Sequence, residues 1–227
     1  MGKLKLITNP VSPFNSRVLI ALAFKGIDYD IEYYDHTRDH ETHKKINPLG
    51  KVPVLVLEDD TIIYESMAII ELLDSLPQYA ETPKLFPADP VEKAKVYMKI
   101  ARLDVLNTRL GPYIRSGAEE GLKGIEQGIK IFEEIIGEAN FFGGDNLGIV
   151  DANFFPFMDR MYQISEFKEK FEASTKISGW YERMINHPAV VKGFGRVEDD
   201  WWPISMLNFR GGKNPVAWPV RDLNKEQ

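Results

Sequence analysis

Polar and apolar residues alternate along 3–7, Lys-Leu-Lys-Leu-Ile, as they do in a strand with one buried face, and Asn9-Pro10 breaks the run. From Pro13 the period changes. Val18, Leu19, Leu22 and Ala23 recur at helical spacing, Pro13 suits a first helical turn, and Gly26 suits a C-terminal stop. The segment 29–34, Tyr-Asp-Ile-Glu-Tyr-Tyr, is strand-like again, and the intervening helix makes a crossover long enough for parallel pairing. After a polar stretch at 35–46, two apolar β-runs flank Glu58-Asp59-Asp60, which predicts a hairpin with strands near 54–57 and 61–64. Met67, Ile70, Leu73 and Leu76 then restore helical spacing.

The order β-α-β, connection, β-β-α describes a small mixed sheet with helices, a thioredoxin-like domain over residues 1–78. Residues 77–90 hold four prolines and no periodicity, so 79–90 reads as a linker. Beyond it, 91–110, 120–139, 150–164 and 175–187 carry helix-like patterning, weakened in the second stretch by glycines at 121, 124 and 128. Residues 91–227 are therefore expected to form a helical bundle with a C-terminal tail. The fold class is α/β followed by all-α. From about Asp199 the tail, with Trp201 and Trp202 and a Gly-Gly pair, is expected to lie across the surface.

The 227 residues carry 28 Lys and Arg against 34 Asp and Glu, a net charge of −6, which argues against a general nucleic-acid binder. No run of about 18 apolar residues and no signal-peptide pattern occurs, so no membrane association and a cytoplasmic location are expected. There are no cysteines, hence no disulfide, no thiolate nucleophile and no thiolate zinc site. Of four histidines, His36, His40 and His43 cluster and His187 stands apart. The cluster lacks an apolar helical face to fix a metal site; it reads as a solvated loop or short helix, and no metal is expected.

Three motifs fall at element ends. Ser12-Pro13-Phe14 opens the first helix, where unpaired N–H groups and the positive dipole end stabilise an anion such as a thiolate. The Ser12 hydroxyl either caps the helix or donates to that anion. In Asn47-Pro48-Leu49-Gly50-Lys51-Val52-Pro53, Pro53 is either a trans proline opening a strand or a cis one that turns the Val52 backbone outward, for pairing with an extended peptide. Glu65-Ser66 opens another helix, where the helix end and the Ser66 hydroxyl suit a carboxylate and Glu65 suits an ammonium. Either this pair holds the zwitterionic end of an amino acid or it is a capping arrangement.

Taken together over nearly the whole chain, a strand, Ser-Pro-Phe and a helix, then a Val-Pro strand start, a Glu-Ser helix start, a proline-rich linker and an all-helical domain resemble the soluble glutathione transferases. Within them, the stretches 12–30, 47–55, 64–74 and 141–157 are similar to the serine-type tau class and its relatives. The Asn-Pro to Val-Pro spacing is one residue shorter than is usual in that class.

The resemblance implies glutathione as cosubstrate, with Ser12 hydrogen-bonding its sulfur and Phe14 beside it. It further implies Lys51 at the glycyl carboxylate, Val52 and Pro53 at the cysteinyl part, and Glu65 and Ser66 at the γ-glutamyl end. The basic residue the family carries before Asn-Pro has three rivals here, Arg38, His40 and Lys45. A hydrophobic electrophilic small molecule is expected between the domains, near Val11 and Phe14, the Tyr97 and Asp104 face of the first bundle helix, and Trp201. Tyr97 and Asp104 have alternative readings, as a core residue and a surface or dimer-contact residue, and the tail tryptophans as anchors of the tail. Thiol transfer through a mixed disulfide is excluded by the absence of cysteine; conjugation, reductive cleavage and hydroperoxide reduction remain. A homodimer is implied. The alternative is a non-catalytic scaffold of the stringent-starvation type. Asp151, three residues after Gly148, reads as a helix-capping residue whatever the family.

Overall fold

In the computed structural model, residues 3–9, 12–34 and 40–194 are described. Four strands, β1 (Lys5–Thr8), β2 (Asp30–Tyr33), β3 (Val54–Val56) and β4 (Ile62–Tyr64), form one sheet in the order β2-β1-β3-β4. β1 runs parallel to β2, with Lys5 opposite Asp30, and antiparallel to β3, with Leu6 opposite Leu55. The parallel pair is joined by α1 (Pro13–Lys25), which ends at Gly26 with φ +68°, a conformation glycine adopts without steric cost. A four-residue helix, α2 (His40–His43), precedes β3, and α3 (Ser66–Ser75) follows β4. This is a thioredoxin-like arrangement.

A single 3-10 turn at Pro77–Tyr79 starts the proline-rich segment, which is pinned rather than loose. Lys25 and Asp74 form a buried ion pair at 2.8 Å. The other Asp74 oxygen accepts from the N–H groups of Leu85 and Phe86 at 3.0 and 2.8 Å, and Lys25 also donates to the Pro83 carbonyl at 3.1 Å. Every charge in the cluster thus has several partners, which is what makes its burial tolerable.

Helices α4 (Pro90–Asn107), α5 (Leu110–Ser116), α6 (Ala118–Leu122), α7 (Ile125–Ile136), α8 (Ile149–Tyr162), α9 (Ser165–Glu172), α10 (Thr175–Ile185) and α11 (Pro188–Phe194) follow. The expected helix at 120–139 is two helices, because Gly124 at φ +72° breaks the ladder between α6 and α7. Gly128 is there for contact: a Cβ would collide with the Leu106 side chain of α4. The short helices α5 and α9 lie outside the patterned stretches; α9 buries only Phe167 and Phe171. One apolar cluster spans both halves, from Leu6, Ile20 and Ile69 to Phe132, Phe154 and Trp180.

Asp151 does reach back, accepting from Gly148 N–H at 2.9 Å. It also accepts from Phe142 N–H at 3.0 Å and the Trp180 indole at 2.8 Å, tying α8 to α10 and to the preceding loop.

Candidate functional site

Ser12 is the N-cap of α1, and its side chain makes no capping bond. The cap is built from backbone instead: the Ser12 carbonyl accepts from Asn15 and Ser16 N–H at 3.1 and 3.4 Å, and the Ser12 N–H donates to Asn9 O at 3.1 Å. Position and hydroxyl are therefore separable: the Ser12 side chain lies at the positive end of a 13-residue helix and takes no part in its cap. Phe14, the second residue of the helix, is 46% exposed and meets Phe157 of α8 edge-to-face at 5.3 Å.

Arg17 is a residue that sequence reasoning missed. It is buried, with its guanidinium 4.7 Å from the Phe14 ring centre and 4.8 Å from that of Phe157. Its Nε donates to Asn153 O of α8 at 2.9 Å and its Nη1 to Ser66 Oγ of α3 at 3.4 Å. Burial lowers its pKa to about 10, opposed by the charge of Asp104 on α4, so it stays protonated at neutral pH. The sequence carries no clear signal for it: Arg17 directly precedes the apolar run Val18–Ala23, and only the fold shows that residues 15–22 are all buried.

At α3, Ser66 is buried and Glu65 is exposed at φ +70°. A non-glycine residue in that region is held there against a steric cost, a condition concentrated at functional sites. Because a guanidinium only donates, Ser66 Oγ accepts from Arg17 and keeps its own proton as a donor. Among the described residues the Glu65 side chain makes no ion pair and no capping bond.

The third element is the loop from Asn47 to Pro53. The Val52-Pro53 peptide is cis. β3 pairs only from Val54 onward, and among the described residues the Val52 N–H and C=O take no backbone partner. Lys51 is exposed. Its carbonyl accepts from His43 Nε2 and from Asn47 Nδ2, each at 2.7 Å. His43 is not solvated, as its polar surroundings suggested: it is buried and stacks on Tyr34 at 4.1 Å. Of the three rival basic residues, Arg38 lies outside the described residues, Lys45 is exposed, and His40 Nδ1 meets the Tyr34 hydroxyl at 3.0 Å.

Of the two α4 residues, Tyr97 reaches the sheet-bearing half directly, and Asp104 is exposed. Asp104 acts on Arg17 and accepts from Asn107 at 3.2 Å. The Tyr97 hydroxyl donates to Glu71 of α3 at 2.5 Å; partial burial and that bond raise its pKa to about 12. Val11, Trp201 and Trp202 lie outside the described residues. Among the described residues no group of three metal-ligating side chains occurs, and no helix is long and apolar enough to cross a membrane.

A thioredoxin-like sheet joined to a helical domain, with a serine at the first helix N-cap, is the frame in which the comparisons with known proteins fall. Residues 11–76 match the glutathione S-transferase N-terminal domain and residues 96–188 the glutathione S-transferase C-terminal domain. Glutathione S-transferase omega-1 of Rattus norvegicus is 30% identical over 199 residues, covering 85% of this chain and 81% of the rat protein. Rice GST1, solved in complex with glutathione, superposes with a TM-score of 0.72 at 26% identity, over 84% of this chain and 90% of the rice chain. The tau-class enzyme of mango, Mangifera indica, gives 0.69 at 24% identity, over 84% and 92%. The chain belongs to the glutathione S-transferase family.

Proposed function

We propose that the protein catalyses attack of the glutathione thiolate on an electrophilic small molecule, with Ser12 hydrogen-bonding the sulfur. The observation that carries this reading is the Ser12 hydroxyl, uncommitted to its own cap at the N-terminus of α1. The dipole end of α1 and this donor lower the free energy of the thiolate more than that of the thiol, and the thiolate is the nucleophile.

The remaining assignments follow the same chemistry. Ser66, oriented by Arg17, and Glu65 receive the carboxylate and ammonium of the γ-glutamyl end. The open Val52 backbone pairs with the cysteinyl part, and exposed Lys51 meets the glycyl carboxylate. The electrophile enters beside Phe14 and the α4 face bearing Asp104, while the Tyr97 contact with Glu71 favours a bracing role for Tyr97. On an aryl chloride the sulfur forms the new C–S bond and chloride leaves; with a hydroperoxide, a second glutathione closes the reaction to disulfide, alcohol and water. A homodimer is supported by apolar side chains left exposed on α4 (Val91, Met98) and β4 (Ile62, Tyr64).

Calorimetric titration with glutathione, alongside turnover of a chloronitrobenzene and of a hydroperoxide, tests the reading. Binding with turnover of either is expected; no binding at millimolar glutathione would overturn it in favour of a non-catalytic scaffold.

A further inference from the structure

The open backbone at Val52 is useful only if the loop that carries it holds still, and that loop has little regular structure of its own. It follows α2, a helix of four residues, and reaches β3 only at Val54. Two side chains supply what secondary structure does not. His43 Nε2 and Asn47 Nδ2 converge on one acceptor, the Lys51 carbonyl, at 2.7 Å each, in the peptide directly before Val52. A carbonyl oxygen only accepts, so His43 carries its proton on Nε2 in this contact. Asn47 is itself oriented, because its Oδ1 accepts from Leu49 N–H at 3.0 Å. His43 is oriented by its face-to-face contact with Tyr34, which follows β2, and by near-complete burial. The loop is thereby referenced to the sheet through β2 as well as through β3.

From this geometry we infer that His43 is a positioning residue for glutathione: by donating to the Lys51 carbonyl it fixes the peptide plane that presents Val52 to the thiol-bearing part of the tripeptide. The inference rests on the glutathione reading above. It assigns His43 no contact with glutathione and no part in the chemical step, so loss of its donor weakens binding and leaves the turnover number of the saturated enzyme in place.

Two substitutions separate positioning from mere packing. His43→Phe keeps an aromatic ring against Tyr34 and removes the donor; His43→Gln keeps an N–H at the reach of Nε2 and removes the ring. Glutathione affinity is measured by calorimetry, turnover at saturating glutathione, and folding by thermal melts. Positioning predicts about tenfold weaker glutathione binding in His43→Phe with kcat within about twofold of wild type, and near-wild-type affinity in His43→Gln. The reverse order, with the Phe variant intact and the Gln variant impaired, means that His43 only packs and overturns the inference. Should the Phe variant fail to fold, the Gln variant alone decides: wild-type affinity supports the hydrogen bond, and a tenfold loss overturns it. Absence of glutathione binding by the wild type overturns the glutathione reading and this inference with it, and is distinguishable from failure confined to the variants.

Discussion

Arg17 and Arg160 cross the contact between α1 and α8 in opposite directions. Arg17 leaves α1 and donates to the Asn153 carbonyl of α8 at 2.9 Å; Arg160 leaves α8 and donates to Ser16 Oγ of α1 at 3.2 Å. Both are buried, and burial lowers the pKa of each to about 10. The exchange locks the helix that carries Ser12 onto the helical domain, and Ser16 in turn lies 3.5 Å from the Ser12 carbonyl. Pro156 takes one N–H out of the α8 ladder in the turn where Asn153 gives its carbonyl to Arg17.

Replacing Arg17 by Met is expected to change stability by less than about 1.5 kcal/mol, because the desolvation cost of a buried cation disappears along with its hydrogen bonds. Glutathione affinity is expected to fall about tenfold, since Ser66 loses the donor that orients its hydroxyl. Denaturant melts and calorimetry on one preparation check both parts; an unchanged affinity would remove Arg17 from the site.

Ser12→Ala removes a hydrogen bond to the developing sulfur anion but none from the α1 cap. Turnover is expected to drop about 100-fold with the melting temperature unaltered. Thiolate absorbance of bound glutathione against pH should show its titration moving to higher pH. If the titration stays where it is, Ser12 has no hand in ionising the thiol.

Asp74→Ala leaves the Lys25 ammonium buried without its partner and strands two linker N–H groups. A loss of about 3–5 kcal/mol in urea unfolding is expected. Limited proteolysis should cut between residues 80 and 86 in the variant and spare the wild type. Equal cleavage would mean the segment is held by Leu85 and Phe86 burial alone.

The bond from Lys93 and that from Tyr97 hold the Glu71 carboxyl below its ordinary value of 4.5. A carboxyl whose pKa is lower in the folded state stabilises the fold above its unfolded pKa, and that contribution is lost as pH falls through the folded value. The side chains of the pair are 31% and 38% exposed, enough for solvent to screen it, so the effect is under about 1 kcal/mol. Acid titration of stability from pH 6 to pH 3 should be shallower in Glu71→Gln than in wild type; parallel curves would show that this bridge does not brace α3 on α4.

The elements were legible wherever side-chain period alone decides them. Alternation at 3–7, the two apolar runs around the acidic turn at 54–64, helical spacing at 13–25 and 66–75, and the prolines of 77–90 account for the sheet, its two flanking helices and the change to helices after it. The positions of Ser12, Glu65 and Ser66 at helix starts were legible too, because local sequence sets where an element begins. What the chain order could not reveal is which polar groups become buried neighbours. Arg17 and Asn153 are separated by 136 positions, and His43 looked solvated amid its polar neighbours. A hydrogen bond between distant residues leaves no periodicity, so only the tertiary structure decided that Arg17 donates to Ser66, Arg160 to Ser16 and His43 to the Lys51 carbonyl. The glycines at 121, 124 and 128 already weakened the pattern of 120–139, but only the tertiary structure decided their separate parts: Gly124 takes φ +72° and divides the helix, while Gly128 lets α7 pack closely on Leu106 of α4, a contact between distant residues that no period encodes.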